Sequence, residues 1–171
     1  MKNLKYILVT VIACTMFLNC GGEKKEDKKE KITLGGTTSE EKKTDANLTE
    51  LVISGNDMMK YDKNELKAKA GQKIKLTLRH IGKMDINVMG HNVVILKQGV
   101  NIAVFAGKAA TARDSGYIPE GSETDIVAHT KMIGGGQTTS VEFNAPAAGT
   151  YDFICSFPGH YALMKGKFIV E

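Results

Sequence analysis

One segment near the C-terminus carries three side chains that can bind a metal ion. Its Cys-x4-His-x3-Met pattern reads Cys155-Ser156-Phe157-Pro158-Gly159-His160-Tyr161-Ala162-Leu163-Met164. Pro158-Gly159 can turn the chain back, so that the sulfur, the imidazole and the thioether converge on one ion. Upstream, Gly90-His91 offers a second imidazole at the start of a predicted strand. A thiolate, two imidazoles and a weak axial thioether are the ligand set of blue-copper electron-transfer sites.

The same residue types also permit other sites. A buried structural cysteine near an unrelated histidine is a common arrangement. A nucleophilic Cys–His pair would need an orienting Asn or Asp and an oxyanion hole, and nothing in the sequence marks either. Zinc accepts one Cys and two His, but a thioether is a poor zinc ligand. The soft sulfur ligands select copper over Mg, Ca or Mn. Met164 and His91 together favour the copper site.

The composition excludes several classes of protein. The chain has 171 residues, 42% of them hydrophobic and 25% charged, with a net charge of +4. This length predicts one domain of ordinary size. The charges are too evenly mixed for nucleic-acid binding, and three cysteines cannot build a disulfide-rich scaffold. No segment reaches the roughly 18 apolar residues of a mature transmembrane helix.

The N-terminus is typical of an exported lipoprotein. Lys2 and Lys5 precede an apolar run over 6–18, which predicts a signal peptide over 1–19. The end of that run, Phe17-Leu18-Asn19-Cys20, resembles a bacterial lipobox, although Phe17 and Asn19 depart from the usual pattern. We therefore expect Cys20 to be lipidated. The alternatives are an N-terminal anchor helix and plain cleavage to a soluble periplasmic protein.

A charged tether is predicted to follow the lipidated cysteine over 20–46. Residues 21–46 contain seven Lys and seven Asp or Glu, with very few apolar residues. Such a segment cannot bury enough apolar surface to offset its ordering entropy, so we expect it to be disordered. The folded domain is predicted to occupy 47–171.

This domain is predicted to be all-β with one short helical insert. Residues 73–80 alternate between polar and apolar, and His80 ends the apolar face. Gly55-Asn56-Asp57 is predicted to be a turn, and apolar spacing predicts a helix over 101–112. The predicted strands lie at 51–53, 73–80, 91–96, 126–128, 140–143, 150–155 and 165–170. Seven or eight short strands favour a Greek-key β-sandwich or barrel.

Three segments in the right order resemble the azurin family of blue-copper cupredoxins. They are Val88-Met89-Gly90-His91-Asn92, His129-Thr130-Lys131-Met132-Ile133-Gly134, and the loop from Phe157-Pro158-Gly159-His160 to Ala162-Leu163-Met164-Lys165-Gly166. The resemblance covers residues 49–171. It implies a cupredoxin-like Greek-key fold of about eight strands, one type 1 copper ion cycling between Cu(I) and Cu(II), and single-electron shuttling in the periplasm.

The resemblance also implies a role for individual residues. His91, Cys155 and His160 would be the equatorial ligands, with Met164 and the Gly90 carbonyl as weak axial ligands. Asn92 would link the two ligand segments by hydrogen bonds. An apolar patch would receive partner proteins; it comprises Met59, Val88, Met89, Phe157, Pro158, Ala162 and Leu163. For Met59, a place in the core is an equal alternative.

Other positions depart from the family or lie outside the copper site. Thr49 and Gly71 stand where azurins usually carry a disulfide, and Val93 stands where a core tryptophan is common. His80 is expected to be a hydrogen-bonded core histidine, the alternative being a group that titrates with redox state. His129 is expected at the surface.

These observations predict a periplasmic electron carrier and no enzyme. The resemblance implies that its partners would be redox proteins such as c-type cytochromes or a periplasmic reductase. We expect no nucleic acid and no small-molecule substrate. The lipid would anchor it to a membrane, and Gly21 after Cys20 favours the outer one. The alternative is a copper-binding lipoprotein for copper storage, delivery or resistance. A multicopper enzyme would need more than four histidines, and a surface adhesion role is a further alternative.

Overall fold

Residues 47–171 are described by a computed structural model of the chain. The predicted signal peptide over 1–19, the lipidation at Cys20 and the tether over 20–46 lie outside these residues. The strands are β1 (Leu48–Asn56), β2 (Lys60–Tyr61), β3 (Glu65–Ala68), β4 (Lys73–His80), β5 (Val94–Leu96), β6 (Ile126–His129), β7 (Thr138–Asn144), β8 (Gly149–Ile154) and β9 (Lys165–Val170). The helices are α1 (Ile86–Met89) and α2 (Ile102–Ala110), with 3-10 turns at Arg113–Ser115, Ser122–Thr124 and His160–Ala162. No helix in this part of the chain is long and apolar enough to cross a membrane.

The strands form two sheets. One has the order β2-β1-β4-β7 and the other the order β3-β9-β8-β5-β6. β1 pairs with β4 in parallel, as β3 does with β9, and the remaining pairs are antiparallel. This architecture confirms the predicted all-β, cupredoxin-like sandwich, with nine strands rather than about eight.

The core lies between the two sheets because one face of each alternating strand is apolar. On β4, Ile74, Leu76 and Leu78 are fully buried while their neighbours reach solvent to differing degrees. The second sheet contributes Phe153 and Phe168 to the same cluster. His80 continues the buried face of β4, so the alternation delivers an imidazole to the end of the core where the ligand segments meet.

β5 is buried on both faces. Its three residues are fully inaccessible, and Ile95 joins the main core while Val94 and Leu96 pack against α2. The helix begins where the Asn101 side chain accepts a hydrogen bond from the Val104 amide. The predicted helix over 101–112 is therefore found, ending two residues earlier.

Several boundaries differ from the sequence-based expectations. β1 continues through Gly55 and Asn56, and the predicted turn begins only after them, with Met59 at a φ of 53°. The predicted strand over 91–96 is regular only from Val94, because His91 makes a single bridge with Ile133 and the next two residues bond to side chains. β2, β3 and α1 were not predicted, since two to four residues give too short a pattern.

Hydrogen bonds join the two segments in which Thr49 and Gly71 stand at the positions of the disulfide that azurins usually carry. The Thr49 hydroxyl and the Lys69 amide both donate to the side-chain carbonyl of Gln72, at 2.8 and 3.1 Å. Gly71 lies beside this amide in a left-handed conformation with a φ of 75°. The start of β1 is thus fastened to the turn before β4 by polar contacts rather than a covalent bond.

Candidate metal centre

Three potential ligand atoms meet at one end of the sandwich. The donor atoms of His91, Cys155 and His160 all lie within 4.8 Å of one another. His91 sits between α1 and β5, Cys155 directly follows β8, and His160 opens the last 3-10 turn. The exposed fractions of these residues are 0%, 0% and 3%. A buried thiol and two buried imidazoles at this separation form the donor set of a closed metal site.

The His91 ring is oriented by the end of β1. Its Nε2 lies 2.9 Å from the Asn56 carbonyl oxygen, which fixes the proton on that nitrogen. Within the described part of the chain, no group hydrogen-bonds to the buried Nδ1. Leaving a buried lone pair without a partner costs free energy, and a metal ion is the partner that an imidazole accepts in this tautomer. The ring therefore fits a metal ligand.

Burial keeps both imidazoles neutral, as metal ligands must be. It lowers the pKa of His91, and the neighbouring His80 lowers it further. Burial also lowers the pKa of His160 to about 4, with smaller contributions from His91 and His80. At neutral pH, protons do not compete for either ring.

Cys155 needs a nearby cation to ionise. Burial raises the pKa of its thiol to about 11, although the amides of Asn92 and Phe157 and the Tyr61 hydroxyl act in the opposite direction. Without a positive charge nearby, the sulfur stays protonated at neutral pH. A bound metal ion supplies that charge and converts the group to a thiolate ligand. The Sγ atom lies 3.7 Å from His160 Nδ1 and 3.8 Å from the Gly90 carbonyl oxygen.

The side chain of Met164 is fully buried beside His91. A Cβ built at Gly55 would lie 2.8 Å from Cδ2 of His91 and 3.2 Å from Cε of Met164. The absence of a side chain at Gly55 therefore leaves room for both groups. The Met164 backbone is fixed by hydrogen bonds to Cys155 and His160 at 2.9 and 2.7 Å. The structure thus places two further groups beside the three donors: the Met164 side chain next to His91, and the Gly90 carbonyl next to Cys155.

The loop after β8 turns as the Pro-Gly pair predicts. Gly159 has a φ of 81°, a left-handed conformation that favours glycine, and the His160 amide donates to the Phe157 carbonyl. The ring centroids of Phe157 and His160 are 4.6 Å apart. This turn brings Nδ1 of His160 to 3.7 Å from the Cys155 sulfur.

The Asn92 side chain joins the two ligand segments. Its Nδ2 donates to the Ser156 hydroxyl at 2.8 Å, and its Oδ1 accepts from the Ser156 amide at 2.9 Å. Both residues are almost completely buried. Asn92 follows His91 and Ser156 follows Cys155. The two hydrogen bonds between Asn92 and Ser156 therefore fix the separation of the two potential ligands.

The expected docking patch is only partly at the surface. Val88 and Leu163 are 60% and 65% exposed, and Pro158 and Ala162 are also exposed. Met59 and Met89 are half-buried, and Phe157 is buried against Tyr117. Phe157 therefore adds little exposed area to the expected patch, and its ring contacts the rings of His160 and Tyr117.

Sequence reasoning missed further apolar surface and polar core near the site. Met58, Ile81 and Met84 are 74%, 65% and 44% exposed.

Polar side chains also link loops and strands near the site. The Asp57 carboxylate accepts hydrogen bonds from the Lys83 and Met84 amides, so it joins the loop after β1 to the loop after β4. Tyr61, Thr130 and Ser156 bond to Asn92 or to the amide of Val93. Only their side-chain types gave a signal, since polar groups in apolar runs need buried partners.

The remaining histidines occupy the expected environments. His80 is 2% exposed, with Nε2 at 2.8 Å from the Met89 carbonyl and Nδ1 accepting from the Gly82 amide. It is therefore a hydrogen-bonded core histidine. His129 is exposed at the end of β6.

Comparison with known proteins gives a consistent result. Residues 46–171 match the family of copper-binding proteins described as the plastocyanin/azurin family. Azurin-1 of Alcaligenes xylosoxydans xylosoxydans is 47% identical over 119 residues, which cover 67% of this chain and 91% of that protein. Azurin of Bordetella pertussis is 44% identical over 118 residues, covering 67% and 78%.

Solved structures of blue-copper proteins share the fold. Auracyanin A, a "blue" copper protein from the green thermophilic photosynthetic bacterium Chloroflexus aurantiacus, superposes with a TM-score of 0.66 at 32% identity, covering 72% of this chain and 99% of that one. An azurin of Methylomonas sp. strain J gives a TM-score of 0.64 at 30% identity, covering 71% and 97%. With the family match and the buried cluster of two imidazoles and one thiol, the chain belongs to the plastocyanin/azurin family of copper-binding proteins, which hold one type 1 copper ion.

Proposed function

We propose that this protein is a periplasmic electron carrier that relays single electrons between redox proteins. The observation that carries the proposal is the buried cluster of His91, Cys155 and His160, whose donor atoms lie within 4.8 Å of one another. Copper bound there supplies a one-electron Cu(II)/Cu(I) couple. The chain's part is to hold the donors in one arrangement and to keep water away from them.

Rigid placement of the donors suits this role. The His91 ring is held by the Asn56 carbonyl, and Cys155 is held through Met164 and the Asn92–Ser156 pair. Side chains fixed by buried hydrogen bonds cannot rearrange freely when a charge changes nearby. Low reorganisation favours fast transfer of an electron without any bond being made or broken.

Met164 and the Gly90 carbonyl would be further, weak ligands of a copper ion held by these three donors. Support comes from the 3.8 Å distance between the Gly90 oxygen and the Cys155 sulfur, and from the Met164 methyl group beside the His91 ring. These donors approach the cluster from the two chain segments that also carry the imidazole and the thiol.

We further propose that partners dock on the apolar surface around the His160 loop. Val88, Pro158, Ala162 and Leu163 provide its exposed part, and Met59, Met89 and Phe157 lie partly or wholly beneath. Scattered exposed apolar residues are ordinary, but several beside a redox site mark a contact surface. An electron would then pass between the partner and the site over the short path through His160.

The proposed partners are c-type cytochromes or a periplasmic reductase, and the proposed location is a membrane surface reached through a lipid on Cys20. Support comes from the charged and apolar segments over 1–18 and the lipobox-like sequence. The alternative of copper storage or delivery requires exchangeable ligands. The near-complete burial of the three donors disfavours it.

A copper titration of the full-length chain tests the proposal. We expect one equivalent of Cu(II) to produce an intense visible band from thiolate-to-copper charge transfer. Cys155→Ser should lose this band. Cys20→Ser, which removes a cysteine outside the described domain, should keep it. Bleaching of the band by a reduced c-type cytochrome would then demonstrate electron transfer.

Two results would contradict the proposal. One is a protein that stays colourless with cupric salt. The other is rapid loss of copper to a weak chelator, which would favour the storage alternative.

A further inference from the structure

The buried hydroxyl of Tyr61, which no sequence motif indicated, holds the backbone next to the His91 ligand segment. Tyr61 ends β2 and is 6% exposed. Its hydroxyl donates a hydrogen bond to the Asn92 carbonyl, which is 31 positions away in the sequence. Its ring packs against Phe153 of the neighbouring sheet, with ring centroids 5.8 Å apart.

The peptide unit between Asn92 and Val93 is fastened on both sides by side chains. Its carbonyl accepts from Tyr61, and its N–H donates to the Thr130 hydroxyl at 3.0 Å. Strand pairing does not hold this unit, because β5 becomes regular only at Val94. The position of Asn92 therefore depends on two hydroxyl groups supplied from elsewhere in the fold.

Asn92 in turn contacts both sides of the metal centre. It follows the His91 ligand directly, and its side chain bonds to Ser156, which follows Cys155. The Asn92 backbone lowers the pKa of the Cys155 thiol, as does the Tyr61 hydroxyl itself, and both oppose the larger effect of burial. Hydrogen bonds around this sulfur are known to tune the potential of blue-copper sites.

We propose that Tyr61 is a positioning residue that sets the reduction potential of the site by fixing Asn92 and by placing its own hydroxyl near the Cys155 sulfur. By holding the Asn92–Val93 peptide, Tyr61 keeps the Asn92 backbone in the position from which it stabilises a negative charge on the Cys155 sulfur. A hydrogen bond to the sulfur stabilises negative charge there and disfavours electron donation from it. Tyr61 therefore favours the reduced state. This inference rests on the proposed electron-transfer function.

The chain offers a matched control for the test. Tyr151 is also 6% exposed, and its hydroxyl also donates to a backbone carbonyl, that of Ala147 at 2.8 Å. Tyr151 packs against Phe168 in the same core and has no contact with Asn92 or the ligands among those described. Tyr61→Phe and Tyr151→Phe each remove one buried hydroxyl and keep the ring.

The copper-loaded full-length variants are equilibrated with a reference redox protein, and their visible spectra are recorded. We expect Tyr61→Phe to shift the electron-exchange equilibrium about threefold to tenfold toward the oxidised protein, the range of one buried hydrogen bond. Its charge-transfer band should move to lower energy. Tyr151→Phe should leave the equilibrium and the band unchanged, although both variants lose some stability.

A second measurement uses the metal-free protein. Tyr61→Phe should accelerate amide hydrogen exchange at Asn92 and Val93 by about threefold to tenfold, whereas Tyr151→Phe should not. The inference is overturned if Tyr61→Phe leaves the potential and spectrum of the wild type, or if Tyr151→Phe shifts them equally. If the wild-type protein itself failed to form a redox-active copper site, the proposed function would fail instead.

Discussion

The imidazole rings of His80 and His91 are stacked, with centroids 4.2 Å apart and planes inclined by 16°. His91 is also near His160, at a centroid distance of 5.2 Å. Three buried imidazoles thus follow one another from the end of β4 to the loop after β8. Burial and the neighbouring imidazoles lower the pKa of His91 and of His160, so the folded domain favours neutral rings at these two positions.

This arrangement predicts a pH-dependent stability of the metal-free protein. In the folded state, burial lowers the pKa of His160 to about 4, whereas the unfolded chain takes up the same proton near 6.5. Between these values the unfolded state binds more protons. The stability that the neutral His160 ring contributes to the folded state is therefore fully present above pH 6.5, and it is lost as the pH falls toward 4. We expect a loss of about 2 kcal/mol in the free energy of unfolding.

Urea unfolding of the metal-free protein at pH 7 and at pH 4.5 measures this effect. His160→Gln removes the titrating group and should reduce the pH dependence of the free energy of unfolding. An identical pH dependence in the His160→Gln variant and the wild type would contradict the assignment to this ring.

The axial assignment of Met164 predicts a change in potential without loss of the copper site. Met164→Leu conserves volume in a fully buried position, so we expect the fold to be kept at a cost below about 1.5 kcal/mol. Removing a weak donor to Cu(II) destabilises the oxidised state and raises the reduction potential, while the visible band remains. Redox titration measures the change, and an unaltered potential would count against an axial role.

The docking surface predicts that a charge near the site slows electron transfer without changing the potential. Val88 of α1 is 60% exposed beside the site, and Val104 of α2 is 56% exposed outside the proposed patch. Val88→Asp should reduce the rate with a reduced c-type cytochrome about tenfold, because a desolvated charge at an apolar contact costs 1.4 kcal/mol or more.

Val104→Asp is the matched control for this measurement, and its rate should equal that of the wild type. Stopped-flow mixing at several ionic strengths separates the effect of burying a charge from long-range attraction, which salt screens. Equal rates for all three proteins would exclude Val88 from the contact surface.

The proposed lipidation of Cys20 predicts association with membranes. We expect Cys20→Ala to move the protein from the membrane fraction to the soluble fraction, whereas Cys14→Ala, within the predicted signal peptide, should leave it at the membrane. Fractionation with detection of the copper domain measures the distribution. Retention of the Cys20→Ala variant in membranes would contradict a lipid anchor at this residue.

Much of the fold could be predicted because its signals are local. The alternation over 73–80 predicted β4 with its correct bounds, and the Pro158-Gly159 pair predicted the turn in the ligand loop. Short elements such as β2 and α1 gave no usable period. The actual start of β5 at Val94 also could not be predicted, because the side chains that hold the preceding peptide, Tyr61 and Thr130, are distant from it in the sequence.

By itself, the sequence determined which ligand types are present, how Cys155, His160 and Met164 are spaced along one loop, and which strand faces are apolar. These properties depend on neighbouring residues and on the period of a strand. The tertiary structure alone decided that His91 meets Cys155, that His80 stacks on His91, and that Tyr61 reaches Asn92. Those contacts join different strands and loops, and they depend on the order in which the strands pair, which local patterns do not encode.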